Sequence, residues 1–300
     1  MKPDLSVRIG KMVMKNPVTV ASGTFGYGRE YAEFVDVAML GAITVKGIRL
    51  EPWAGNKTPR MVEVPGGLVN AIGLQGPGVE GFVREDMPFL RRLGIPVIVN
   101  IWGTSVEEYA AVAARFSDVE GIGGLEINVS CPNVKEGGAS FGTDPRKVAE
   151  VVRAVRSRTG LTLLTKLAPN VPDIKVFARA AVEAGSDALS ISNTLPAMVI
   201  DVEKRKPVLA NKMGGLSGAA LHPVAVKLVY EAAQTVTVPI VGMGGIFEPA
   251  DAIEFLLAGA TAVAVGTANF IDPSTPIRVI AGIEDYMARH GIENIGKMRI

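Results

Sequence analysis

Reactive and polar side chains recur where short apolar runs stop. Cys131 stands in Asn128-Val129-Ser130-Cys131-Pro132-Asn133, directly after an apolar run, and Gly137-Gly138 follow it. A thiol at the base of such a loop suits acid–base work, because its ordinary pKa of about 8.5 needs only a modest drop to supply thiolate near neutrality; the competing reading is an inert buried hydrophobe. Lys46 and Lys166 each close a largely apolar run. A buried ammonium is costly without an anion, so the pair point to negative charge on a cofactor ring or an acidic substrate, unless they snorkel to the surface. Asn70, Asn100, Asn128, Asn133 and Asn193 lie near the same strand ends. Their amides suit a flat heterocycle whose edge alternates C=O and N–H, although any one of them can cap a turn. Gly242-Met243-Gly244-Gly245 and Gly266-Thr267 follow the last two apolar runs, where closely approaching backbone N–H groups can grip phosphate oxygens.

These residues need a frame that gathers strand ends. Apolar runs of strand length occur at Val18–Ala21, Ile43–Lys46, Val97–Asn100, Leu125–Val129, Leu163–Leu167, Ala188–Ser192, Ile240–Gly242 and Ala262–Val265. Helices are expected at Val106–Phe116, from Pro145 up to Gly160, and at Asp173–Ala184, Pro223–Thr235 and Pro249–Leu257. The alternation predicts an α/β fold, a (β/α)8 TIM barrel forming a single domain over residues 1–300, with chemistry at the C-terminal strand ends. An open doubly wound sheet is the rival, but no G-x-G-x-x-G follows the first strand. Long inserted loops follow strands 2 and 6, Gly47–Gly78 and Asn193–His222. The second contains a predicted hairpin, Met198–Val202 with Pro207–Ala210, carrying the charged tip Glu203-Lys204-Arg205-Lys206.

Composition narrows the chemistry. The 300 residues carry 31 Lys+Arg against 30 Asp+Glu, and no basic run marks a nucleic-acid surface. No apolar stretch approaches the ~20 residues of a membrane helix or forms a signal segment, so no membrane association and a cytoplasmic location are expected. One cysteine and 2 histidines exclude an intrachain disulfide, a multi-thiolate cluster and a His-rich metal site; no metal is expected.

The run Asn128 to Gly138, with Phe141-Gly142-Thr143-Asp144, resembles the catalytic loop of class 1B dihydroorotate dehydrogenases. Five further runs agree in order along the chain: Ala21 to Gly28, Asn70 to Gln75, Gly214 to Gly218, Gly242 to Gly245, and Ala264 to Phe270. The resemblance implies an FMN flavoprotein, an oxidoreductase of pyrimidine biosynthesis that converts (S)-dihydroorotate to orotate. It implies FMN contacts at Ser22, Lys46, Gly47, Asn100, Asn128, Lys166, Ser192, Gly218, Gly244, Gly245, Gly266 and Thr267. Orotate would meet Lys46, Asn70, Ala71, Ile72, Gly73, Leu74, Asn128, Asn133, Asn193 and Thr194. Cys131 would remove the C5 proton while hydride leaves C6, and Lys166 would stabilise charge developing on the ring. Class 1B further implies a partner subunit with FAD and a [2Fe–2S] cluster, passing electrons to NAD⁺ in a heterotetramer of two catalytic and two partner subunits. Fumarate and quinone are the acceptors of related enzymes, fumarate being the alternative to NAD⁺ here. Two departures from the pattern, Ser192 and Trp102, bear on flavin packing. The alternatives are a dihydropyrimidine dehydrogenase-like flavin enzyme, which shares Asn-x-Ser-Cys-Pro, and a non-redox barrel that binds phosphate ligands.

Overall fold

The computed structural model describes residues 2–129 and 141–298. Eight parallel strands form the central sheet: β1 Val18–Val20, β2 Ile43–Ile48, β3 Val97–Ile101, β4 Ile122–Asn128, β5 Thr162–Leu167, β6 Ala188–Ile191, β7 Ile240–Met243 and β8 Ala262–Val265. Every predicted strand is present, with ends shifted by three residues at most. The order β1-β8-β7-β6-β5-β4-β3-β2 is that of a barrel opened between β1 and β2. Every residue of β3 and β5 is buried, because helices cover the outside and side chains fill the inside.

Sparse contacts close the seam. Gly41 N–H donates to Val18 C=O at 2.9 Å, and the buried hydroxyls of Thr19 and Thr44 share a hydrogen bond at 3.1 Å. Thr44→Val leaves the Thr19 hydroxyl buried without this partner. It is expected to cost about 1–3 kcal/mol, read as a lower denaturant midpoint with an unchanged slope.

The outer helices match the sequence expectation after β3 to β7, with capping side chains at several starts. Ser105 accepts from Glu108 N–H ahead of Val106–Ser117, Asp144 from Arg146 N–H ahead of Pro145–Arg156, and Asp173 from Lys175 N–H ahead of Ile174–Glu183. The β1–β2 crossover differs. It contains only short 3₁₀ turns, Arg29–Tyr31 and Val37–Met39.

The two long insertions, which the sequence reading treats separately, combine. Leu195–Met198, Met213–Ser217, Gly67–Asn70 and Met61–Val64 form one antiparallel sheet in that order, placed over the strand ends by the residues it contributes to the cavity there. Val69, Ala71 and Leu209 form a small apolar cluster on its far side. The charged-tip hairpin exists but is shorter than expected, pairing Ile200–Asp201 with Lys206–Pro207. Among the described residues, no helix is long and apolar enough to cross a membrane.

Candidate active site

The C-terminal ends of the barrel strands and the accessory sheet enclose a cavity of about 380 Å³. Lys46 comes from β2, Asn100 from β3, Asn128 from β4 and Lys166 from β5. Parallel register sets Asn100 opposite Glu126 and Asn128 opposite Lys166. Residues two apart on a strand share a face, so β4 turns both Glu126 and Asn128 to the barrel interior. The Asn128 carbonyl accepts from the Tyr109 hydroxyl at 2.7 Å, and its Oδ1 accepts from Asn193 Nδ2 at 3.1 Å. Asn193 Oδ1 in turn accepts from Thr194 N–H at 2.8 Å. The asparagines are therefore oriented by one another.

Lys166 is 5% exposed, with its ammonium 3.6 Å from Glu126 Oε1 and 3.3 Å from Ser22 Oγ. Lys46 is half-buried, and burial holds its amine below the ordinary lysine pKa; the charge of Arg60 adds to this and Glu30 opposes it. Lys46, Lys166 and Arg60 all line the cavity, and among its described lining residues there is no carboxylate. A wall with three cations and no acid is built for anions.

Gly244 and Gly245 adopt φ 140° and 65°, conformations that L side chains rarely take. A Cβ at Gly244 would meet Ala225 Cβ at 2.7 Å, and one at Gly245 would meet His222 Cβ at 2.7 Å. His222 supports this turn through Nδ1, 3.0 Å from the Gly244 carbonyl oxygen, while its Nε2 lies 3.1 Å from Glu254 Oε2. Gly218, Gly266 and Thr267 reach the same cavity, and Thr267 Oγ1 donates to Ser217 Oγ at 2.8 Å. These backbones form a narrow cradle of the kind that holds a phosphate.

All twelve residues expected to contact a flavin line the cavity: Ser22, Lys46, Gly47, Asn100, Asn128, Lys166, Ser192, Gly218, Gly244, Gly245, Gly266 and Thr267. So do Asn70, Ile72, Gly73, Leu74, Asn193 and Thr194 from the expected substrate set. Gly73 and Leu74 have φ of 76° and 57°, a turn that folds this run against the cavity. Ala71 is the exception. It is fully buried beside Val69 and Leu209, its N–H donates to Arg60 C=O at 2.8 Å, and its carbonyl accepts from Asn56 Nδ2 at 3.0 Å. It carries the run and faces away from the cavity. Cys131 and Asn133 lie outside the described residues.

The two departures resolve differently. Ser192 lines the cavity, with Oγ donating to the Asn193 carbonyl at 3.1 Å. Trp102 is not among the lining residues; it packs edge-on against Trp53 at 6.1 Å, and the Arg49 guanidinium sits 5.0 Å from each ring. Gly47, which does line the cavity, packs directly against the Trp102 ring, since a Cβ there would come within 3.2 Å of Trp102 Cδ1.

Sequence reasoning missed Arg60, Ser217, His222 and Glu126. The first two sit in insertions without a periodic pattern. The sequence reading uses the two histidines only to exclude a His-rich metal site, and nothing local ties His222 to the Gly244 turn. Glu126 carried a usable signal, a lone acid within the apolar Leu125–Val129 run.

The protein-family model described as "Dihydroorotate dehydrogenase" matches residues 4–287. A protein of Geotalea daltonii is 54% identical over 297 residues, covering 99% of this chain and 97% of its own length. A Desulforamulus reducens protein is 53% identical over 298 residues, covering 99% and 98%. A Geobacter sp. (strain M21) protein is 51% identical over 297 residues, covering 99% and 97%. Each bears the name "Dihydroorotate dehydrogenase B (NAD(+)), catalytic subunit".

Proposed function

Because the chain belongs to the dihydroorotate dehydrogenase family, we propose that it oxidises (S)-dihydroorotate to orotate in pyrimidine biosynthesis, as the catalytic subunit of an NAD⁺-linked enzyme with FMN as its flavin. The observation that carries this is the cavity itself, whose described lining holds Lys46, Arg60 and Lys166 and no acid. Dihydroorotate is a carboxylate and FMN carries a phosphate, so both need such a wall. Uracil-type rings lack the carboxylate, which is why the related pyrimidine chemistry is the weaker reading.

The residues present fit FMN. Asn100 Oδ1 is buried in the wall with no hydrogen-bond partner among the described residues, an acceptor suited to a ring N–H. The Gly244–Gly245 turn, with Gly218, Gly266 and Thr267, would hold the phosphate, and Lys166 would lie by the ring. When bound, FMN supplies the acceptor for the hydride leaving C6 of the substrate. Cys131 takes the C5 proton as a thiolate, a role that needs no covalent bond to the substrate. Lys46, the Asn70–Leu74 run and the Asn128–Asn193–Thr194 chain, with Asn133, orient the ring and carboxylate of the substrate. Lys166 contributes positive charge where negative charge develops.

The two electrons that the hydride would deliver must then leave through another molecule. The single cysteine of the chain is too few for an iron–sulfur cluster, and the relatives are named as subunits. This supports a partner subunit, to which we assign FAD and [2Fe–2S], in a proposed heterotetramer with two copies of each chain. Residues 1–300 then act as one flavin-binding domain, in the cytoplasm.

The test is a spectral titration of the yellow holoprotein. Orotate is expected to perturb the flavin absorbance at concentrations about tenfold or more below those uracil requires, the carboxylate adding at least one charged hydrogen bond. Uracil matching or exceeding orotate, or folded protein that takes up no FMN, would overturn the reading. In rapid mixing, NAD⁺ is expected to reoxidise dihydroorotate-reduced flavin only when the partner is present.

A further inference from the structure

Glu126 is a buried acid that the proposed chemistry does not use. It is 2% exposed in the middle of β4, whose neighbours Leu125 and Ile127 are fully buried. A charge is retained in such a place only when it is paired and hydrogen-bonded. Glu126 Oε1 accepts from Asn100 Nδ2 at 2.6 Å and lies 3.6 Å from the Lys166 ammonium. Both partners line the cavity, whereas Glu126 stands behind them.

The chemistry of this triad has a direction. An ionised carboxylate only accepts hydrogen bonds, and a primary amide has one donor end and one acceptor end. Glu126 therefore compels Asn100 to turn its NH₂ inward. That leaves Oδ1 as the end that has no partner among the described residues, buried near Gly47 in the cavity wall. A glutamine at 126 would accept or donate equally well and leave the Asn100 amide free to turn over.

We infer that Glu126 is a positioning residue: it fixes the Asn100 amide with Oδ1 toward the cavity and holds the Lys166 ammonium beside it, so that the wall reads a ring N–H next to negative charge. The inference rests on the flavin reading above. Oxidised flavin has one ring N–H, flanked by carbonyls, and it is the group this acceptor would select.

The experiment uses holoprotein loaded with ¹⁵N-labelled FMN, comparing wild type, Glu126→Gln and Glu126→Asp by NMR exchange of the flavin imino proton and by FMN titration of the apoproteins, with folding checked by circular dichroism. In wild type the imino proton is expected to exchange at least about tenfold more slowly than in free FMN. Glu126→Gln is expected to lose most of that protection and to bind FMN about tenfold more weakly, the scale of one buried hydrogen bond. Glu126→Asp, which keeps an acceptor-only group, should recover part of the protection. Wild-type protection and affinity in folded Glu126→Gln would overturn the inference. If Glu126→Gln does not fold, the wild-type proton decides: protection supports the fixed acceptor, and exchange as fast as in free FMN overturns it. Failure of wild type to bind FMN would instead sink the flavin reading.

Discussion

Cys131→Ala is expected to keep its FMN and its fold while flavin reduction by dihydroorotate slows by roughly 10²–10⁴-fold, the range supplied by a positioned general base. Removal of the C5 proton has no other group assigned to it, and the described cavity wall offers only cations, amides and hydroxyls, none of which is a good base near neutrality. The measurement is anaerobic rapid mixing of holoprotein with dihydroorotate, followed at the flavin absorbance. Cys131→Ser should retain some activity with its optimum moved to higher pH, because a hydroxyl gives up its proton far less readily than a thiol. Reduction of the alanine variant at the wild-type rate would place the base elsewhere.

Lys166→Met is the second large effect. Removing a preorganised charge from the position where anionic character develops costs on the order of 10²–10³ in the reduction step. It also strands Glu126, which is buried and 3.6 Å from the lysine it would lose. Breaking a buried pair from one side costs about 3–5 kcal/mol, so the single variant should also be less stable to denaturant. The double variant Lys166→Met with Glu126→Gln separates the two roles. It is expected to regain most of the stability and none of the rate. Full recovery of the rate would show that Lys166 serves only the fold.

The barrel was legible because its evidence is local. Each strand is a short apolar run, and several crossover helices have their own period and cap, as at Asp144-Pro145 and Ser105. The active-site face was legible for the same reason: in parallel βα repeats all strand ends point one way, so Lys46, Asn100, Asn128 and Lys166 must converge. Ala71 marks where this reasoning fails. Which members of a run face a ligand depends on its local backbone: Ala71, just past the strand end at Asn70, turns to Val69 and Leu209, whereas the turn at Gly73 and Leu74 brings Ile72, Gly73 and Leu74 to the cavity. The joint sheet from the two insertions was not legible either. Its pairing of Asn70 with Gly215 joins segments far apart in the chain, and neither segment encodes its partner.

The amino-acid order by itself determined which groups stand at the strand ends, and with them the cationic, amide-rich and glycine-lined character of the site. Tertiary structure decided how those groups are turned. Strand register sets Glu126 opposite Asn100, and the Lys166 ammonium reaches the same carboxylate from β5; only that juxtaposition makes one amide oxygen an obligatory acceptor and gives one ammonium a counter-charge. Side-chain type is a property of a single position, whereas hydrogen-bond direction is a property of neighbours that the fold brings together.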